Sequence, residues 1–303
     1  MPVRIAIVGP GRVGTAFAER FVRASANVLG YVGRDPERTR GAVDALGTGD
    51  VLGWRDLQRA HVVVFAVGDG QLADAVAAAA AVGGRRCSLW LHTSGRFDLS
   101  VLRPAEPLGV RLGSLHPLVP FSASLHSAVT VGAPALLQGG ERSLTLLRRL
   151  SRMLGLEPIV CGDQNRALYH AACALAANGA TALFGLARDA MVQAGGLDGD
   201  DAGRLVAALM AAASDGSRRH GAGPALSGPV RRGDDATVGA HLRELEAAGG
   251  AATDAYRALM RHALRLARGE GLPDDVCERL ADLLSSRARD DAPDHDASDH
   301  DPS

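Results

Sequence analysis

Three kinds of residue in this chain of 303 amino acids have types and spacing suited to chemistry: a glycine-rich turn near the start, histidines that follow apolar runs, and a late pair of arginines. Gly9-Pro10-Gly11-Arg12-Val13-Gly14 satisfies G-x-G-x-x-G and lies between an apolar run and an expected helix starting near Arg12. In that context Gly9 permits a tight turn, Gly11 lets backbone approach a pyrophosphate, and Gly14 lets helix pack on sheet. The helix start adds unpaired N–H groups and partial positive charge for phosphates. About 20 residues past the last glycine, where an acid would meet the ribose 2′-hydroxyl of NAD, stand Gly33 and Arg34. A guanidinium there suits a 2′-phosphate, which favours NADP over NAD. Asp35 is the counter-argument, and Asp35-Pro36-Glu37 reads instead as a helix cap, a first-turn proline and a first-turn acid.

Reduction of a carbonyl needs a proton as well as a hydride. All 33 basic residues are arginine, so no lysine can supply it. Histidine, which titrates ordinarily at about 6.5, is the natural donor. His170 lies on an expected long helix with Ala174 and Asn178 at i+4 and i+8, on about an 80° arc spanning about 12 Å of one face. Tyr169, about 100° round that helix, would flank the face. The same apolar neighbours of His170 also suit a core histidine. His116, before Pro117 at a strand end, is the rival donor. His92-Thr93-Ser94-Gly95 ends another strand, where Ser94 and Gly95 would contact nicotinamide or substrate, or form a local Ser/Thr turn. Gly68 and Asp69 follow a strand on the rim where a parallel sheet receives ligands, and also suit a plain turn.

The elements that must position these residues follow from hydrophobic period. Short β-branched runs alternate with helical Ala/Leu/Arg stretches, predicting an α/β Rossmann domain, doubly wound with a mainly parallel sheet, followed by an all-α C-terminal domain. Strands are expected over residues 4–8, 28–32, 62–66, 88–92, 111–115, 128–137 and 158–160. Beyond Gly162 strands stop. Helices are expected over 164–193, 200–214, 236–247, 253–268 and 274–286. The domains are then 1–162 (nucleotide-binding), 163–287 (helical) and 288–303, an acidic tail with too little to bury and expected to be disordered.

Composition narrows the classes. A net charge of −1 and 4% aromatic residues argue against a dedicated nucleic-acid binder. Four scattered cysteines and the histidine spacing suggest neither disulfide framework nor metal site. The start lacks signal-peptide features, and the apolar run 73–82 is too short to span a bilayer, so a cytoplasmic protein without membrane association is expected.

Several segments carry a resemblance: residues 7–14, His92-Thr93-Ser94-Gly95, Ser114-Leu115-His116-Pro117-Leu118, Leu168-Tyr169-His170-Ala171-Ala172 and residues 226–234. With them the chain resembles the Rossmann-like proteins with a C-terminal domain of unknown function, DUF2520, in the 6-phosphogluconate dehydrogenase-like superfamily. The resemblance covers all but the tail. It implies a helical dimerising domain, hence a homodimer, and NADP-dependent reduction of a small-molecule substrate between the domains. The long helix is also similar to that of ketopantoate reductases, K-x-x-x-N-x-x-x-N followed by Thr-Ala. Asn178, Thr181 and Ala182 match that pattern, whereas His170 replaces the lysine and Ala174 the first asparagine. This implies His170 as acid and Asn178 as substrate-orienting, with Ser227 and Arg232 as candidates for holding a substrate carboxylate.

The resulting expectation is a reductase of a small 2-oxo acid, or of a related carbonyl or imine, with ketopantoate the first candidate. The lost lysine and asparagine keep open a non-catalytic NADP-binding sensor or partner-docking protein. The His-Pro segment, similar to that of prephenate dehydrogenases, keeps open oxidation of a cyclic acid.

Overall fold

The computed structural model describes residues 2–82, 89–119 and 131–285. The expected tail, 288–303, lies outside these residues, as do Ser88, Ser286 and residues 128–130 of the expected elements. Packing divides the chain into two compact units, Met1–Ala177 and Asn178–Ser303.

The first unit is built on eight strands: β1 (Arg4–Val8), β2 (Asn27–Val32), β3 (Asp50–Val51), β4 (Val62–Phe65), β5 (Leu89–His92), β6 (Arg111–Pro117), β7 (Pro134–Gly139) and β8 (Glu157–Val160). Their order is β3-β2-β1-β4-β5-β6-β7-β8. Neighbours are parallel except β6 and β7, which pair antiparallel. β4 and β5 are buried throughout because both sheet faces are covered, which is why they read as continuous apolar runs. One face packs Phe17 and Phe21 of helix α1 (Arg12–Arg23) with Leu147 and Leu150 of the later helix Glu141–Met153. The other packs Leu72 and Val76 of the helix Asp69–Ala81 with Trp90 and Leu102. Strand β7 starts at Pro134, later than expected, since the valine-rich run ahead of it turns at Val131 and Gly132.

Helix α2 (Pro36–Leu46) starts where its local chemistry dictates. The Asp35 carboxylate accepts from the Arg38 backbone N–H at 3.0 Å, and Gly47 closes the helix in the left-handed region. The helix Asp69–Ala81 is α3, and Glu141–Met153 is α4.

The expected helix 164–193 requires a correction. It consists of α5 (Arg166–Ala174), a π-turn (Leu175–Gly179) and α6 (Ala180–Gln193). A π-turn holds more residues per turn than an α-helix, so the arc of about 80° expected between His170 and Asn178 from regular helical geometry does not carry unchanged past Leu175. The compact units divide inside this turn. α5 goes with the sheet because its Arg166 and Tyr169 side chains bond to the sheet unit. The stretch Arg166–Gln193 is long and apolar enough to cross a membrane by length and composition, and none of its apolar window is buried. Leu168 and Leu175 are 68% and 76% exposed.

The second unit contains α6 and helices α7 (Gly199–His220), α8 (Ala222–Ala225), α9 (Pro229–Arg232), α10 (Asp235–Ala248), α11 (Ala251–Gly269) and α12 (Asp274–Ser285). Helix α7 runs past the expected end at Ser214. Asp215 pairs with Arg218 and Arg219 one turn on, and these cations suit the carboxyl end of the helix. The core joins Val230, Val238, Leu242, Leu264, Leu280 and Leu284.

Gly14 is dictated by packing, since a Cβ there would fall 2.1 Å from the Gly9 carbonyl oxygen. Gly14→Ala is therefore expected to lower stability by about 1–3 kcal/mol, the usual cost of overpacking. An unchanged urea unfolding midpoint would contradict this.

Candidate functional site

Two groups of candidate residues occupy the first unit. The first surrounds a cavity of about 490 Å³ at the carboxyl ends of β1, β2 and β4. Gly9, Pro10, Gly11, Arg34 and Gly68 line it, together with Arg38, Trp54, Gln71 and Asp74, which sequence reading missed. Gly11 is the residue before α1, so the first amides of that helix face the turn. Arg12, Val13 and Gly14 form the first helical turn and do not line the cavity.

The glycines have different causes. Gly9 has φ +105°, and a Cβ there would meet the Ala66 carbonyl oxygen at 2.6 Å, so both backbone and packing require glycine. A Cβ on Gly11 would meet protein only at 3.9 Å, again Ala66 oxygen. Protein packing does not require glycine at position 11; a phosphate group lying against the turn would. Arg34 and Arg38 make no ion pair with a described residue, while Asp35 is occupied capping α2. Two cations and an indole thus line a glycine cradle, together with the carboxylates Asp74 and Asp35, the latter also capping α2.

The second group lies at the carboxyl ends of β5 and β6. A Cβ on Gly95 would fall 2.8 Å from His116 Nε2 and 2.9 Å from His170 Nδ1, so the two imidazoles converge on that bare Cα. Their ring centres are 6.3 Å apart. The two rival donors therefore belong to one cluster. His170 is exposed and His116 half-buried. His116 Nδ1 and the Tyr169 hydroxyl are hydrogen-bonded at 2.9 Å, so Tyr169 flanks the pair. Ser94 Oγ donates to Asp69 Oδ1 at 2.6 Å and accepts from Arg96 N–H at 3.1 Å. The Ser/Thr turn is thus present, and Asp69 serves to hold it. Gly68 precedes α3 and Asp69 opens it.

Behind the pair lies Arg166, 5% exposed, which sequence reading missed. Its Nε donates to the Phe97 carbonyl and its Nη2 to Ser114 Oγ, both at 2.9 Å, and its guanidinium lies 5.4 Å from the centre of the Tyr169 ring. Its buried Nη1 has no hydrogen-bond partner among the described residues. In a chain whose every basic residue is arginine, nothing local marks this one as buried.

Burial, the Arg166 charge and His170 together hold the His116 pKa down to about 4, with Asp69 opposing. Burial, then Arg166, does the same to His92, also to about 4. His92 is fully buried, with Nε2 against the Asp98 carbonyl at 3.2 Å. Burial and the neighbouring Cys173 thiol push the Tyr169 phenol up.

Asn178, Ser227 and Arg232 belong to the second unit. Asn178 lies in the π-turn, and Ser227 and Arg232 are exposed on either side of Val230, with Arg232 ending α9. Asp234 caps α10 by accepting from Thr237 N–H at 3.0 Å. No group of three or more His, Cys, Asp or Glu residues suited to a metal ion occurs among the described residues.

A doubly wound sheet with this glycine turn and an all-helical second unit defines a Rossmann-type two-part protein. Family models agree: a Rossmann-like domain matches residues 2–117 and a domain of unknown function, DUF2520, matches residues 133–263. The chain is a Rossmann-like and DUF2520 domain-containing protein.

Among solved structures, it is similar to a Bacteroides fragilis protein assigned as an NADP oxidoreductase (18% identity, TM-score 0.70), covering 87% of this chain and 98% of that one. It is also similar to an imine reductase from Pseudomonas sp. (17%, TM-score 0.68, 92% and 98% covered). A third is a Plasmodium falciparum pyrroline carboxylate reductase with NADP bound (12%, TM-score 0.60, 93% and 98% covered). These likenesses show the fold. None of the curated proteins matches the chain.

His92 and His116 titrate lower folded than unfolded, so the unfolded chain binds more protons between about pH 4 and 6.5. Stability should therefore rise with pH across that window. Urea unfolding midpoints are expected to be higher at pH 7 than at pH 5, and a midpoint flat or falling over that range would contradict the assignment.

Proposed function

We propose that the chain is an NADP-dependent oxidoreductase that reduces a small 2-oxo acid or a related carbonyl or imine, with ketopantoate the first substrate to try. The observation that carries this reading is the cavity joining a packing-independent glycine at position 11 to the cations Arg34 and Arg38. The pyrophosphate would lie on Gly9, Gly11 and the start of α1, and a 2′-phosphate would meet Arg34 and Arg38. When bound, NADPH supplies a hydride. The NADP and reductase descriptions of the similar structures support the same reading.

The chain's own part in the chemistry falls to the cluster over Gly95. His170, the exposed imidazole, supplies the proton that a reduced carbonyl oxygen needs. His116 stands beside it, and Ser94 and Asp69 fix the loop that carries Gly95. Asn178 is the substrate-orienting residue, and Ser227 and Arg232 hold a carboxylate, by the resemblance set out above.

The exposed apolar helix Arg166–Gln193 suits a second copy of the chain, making the protein a homodimer. The reading places that dimer in the cytoplasm.

Two variants test the assignment. His170→Ala should lower turnover by about 10²–10⁴-fold while leaving NADPH affinity nearly intact, and an unchanged rate ends its role as acid. Arg34→Ala with Arg38→Ala should weaken NADPH by roughly ten- to a hundredfold with little effect on NADH. Equal losses for both cofactors would argue against a 2′-phosphate site, and NADPH binding without turnover on any 2-oxo acid would favour a non-catalytic binding protein.

A further inference from the structure

The Arg166, Tyr169 and His116 side chains form a connected series that ends at Gly95. Tyr169 and His116 share one hydrogen bond, which has two arrangements. Either the phenol donates to Nδ1, leaving the proton of the neutral ring on Nε2, or Nδ1–H donates to the phenol oxygen. The Arg166 guanidinium over the phenol ring favours the hydroxyl as donor to Nδ1, against burial and the neighbouring Cys173 thiol, which push the phenol pKa up. Arg166 is itself fixed by the Phe97 carbonyl and Ser114 Oγ, and Ser114 is two residues from His116 on the same strand, hence on the same face.

The groups facing His116 are Arg166 and His170 from α5 and Asp69 from α3. Asp69 is engaged by Ser94 Oγ. Arg166 has no carboxylate within ion-pair distance among the described residues, and its Nη1 is unpartnered. The base of the cluster therefore carries a positive charge with no direct ion pair, which the Asp98 and Asp69 carboxylates offset only from a distance. His116 Nε2 makes no hydrogen bond to a described residue and lies where any side chain on residue 95 would obstruct it.

We propose that Tyr169 and Arg166 are positioning residues that fix His116 with Nε2–H presented over Gly95, as donor to a substrate oxygen, so that the site takes a carbonyl compound in preference to an iminium. This rests on the reductase reading and narrows its substrate class. When hydride adds to a carbonyl carbon, the C–O π pair becomes a lone pair on oxygen, and the proton that neutralises it comes from His170. Negative charge develops where the Nε2–H and the buried cation favour it. Hydride addition to an iminium instead removes a positive charge from nitrogen, so the same cation would oppose binding of that substrate.

The test is long-range proton–nitrogen NMR of the full chain labelled in histidine, with His116 assigned through His116→Gln. Between about pH 5 and 8 the ring should stay neutral with its proton on Nε2. Tyr169→Phe should give a mixture of tautomers. Arg166→Gln should move the ring's titration upward while burial still holds it below the ordinary value, and Arg166→Lys should return it to the wild-type position. Oxalate should perturb the Nε2–H resonance and bind about tenfold more tightly than the pyrrolidinium cation.

A proton on Nδ1, wild-type titration at the ordinary value of about 6.5, or pyrrolidinium binding as tightly as oxalate would each overturn the proposal. Should Arg166→Gln fail to fold, the wild-type tautomer and the preference between the two probes still decide it. Neither readout needs cofactor, so a protein that binds no NADPH but passes them would lose the reductase reading alone.

Discussion

A turn with no room for a side chain at two of its glycines governs the first unit. Gly9 abuts the carbonyl of Ala66 beyond β4, and Gly14 abuts the carbonyl of Gly9 itself. These approaches bring the start of α1 against the carboxyl ends of β1 and β4. The glycine turn before α1, Arg34 just past β2 and Gly68 just before α3 then border one cavity. The sheet supplies the rigidity, because apolar layers cover both of its faces. Gly11 differs from its neighbours in that the protein leaves it room, and its reason lies with what the cavity holds.

A second constraint sets the chemistry beside it. A guanidinium buried without a carboxylate is costly unless its surroundings answer it by hydrogen bonding. Arg166 is answered by a carbonyl, a hydroxyl and an aromatic ring, which ties α5 to the loop after β5 and to β6. The same tie brings Tyr169 to His116 and both imidazoles to Gly95. One residue thus accounts for the placement of α5 with the sheet unit and for the positive character of the cluster.

Legibility in the sequence followed the range of the interaction. The glycine turn, the Asp35 cap and the apolar strands depend on neighbours in sequence, and each could be read residue by residue. The convergence of His116 and His170 joins a strand end to a helix far along the chain, so sequence reading could set them only as rivals. Arg166 was hidden by composition, since a chain without lysine offers arginine for every surface cation. The π-turn at Leu175–Gly179 escaped because Ala, Leu and Asn carry no mark of an extra residue in a turn. That single insertion alters the angular offset between His170 and Asn178 that a regular helix would set. Trp54 escaped because its short helical turn brings it to the cavity from a stretch without a motif.

The central claim is that the cavity at the glycine turn holds a phosphorylated dinucleotide for reduction chemistry. Its most direct measurement is a fluorescence titration of the wild-type protein with NADPH and NADH, followed in the same cuvette by absorbance on addition of 2-oxo acids, ketopantoate first. The account predicts saturable binding with NADPH the tighter ligand, and loss of reduced-cofactor absorbance with at least one acid. Failure of both cofactors to bind would contradict it at its foundation.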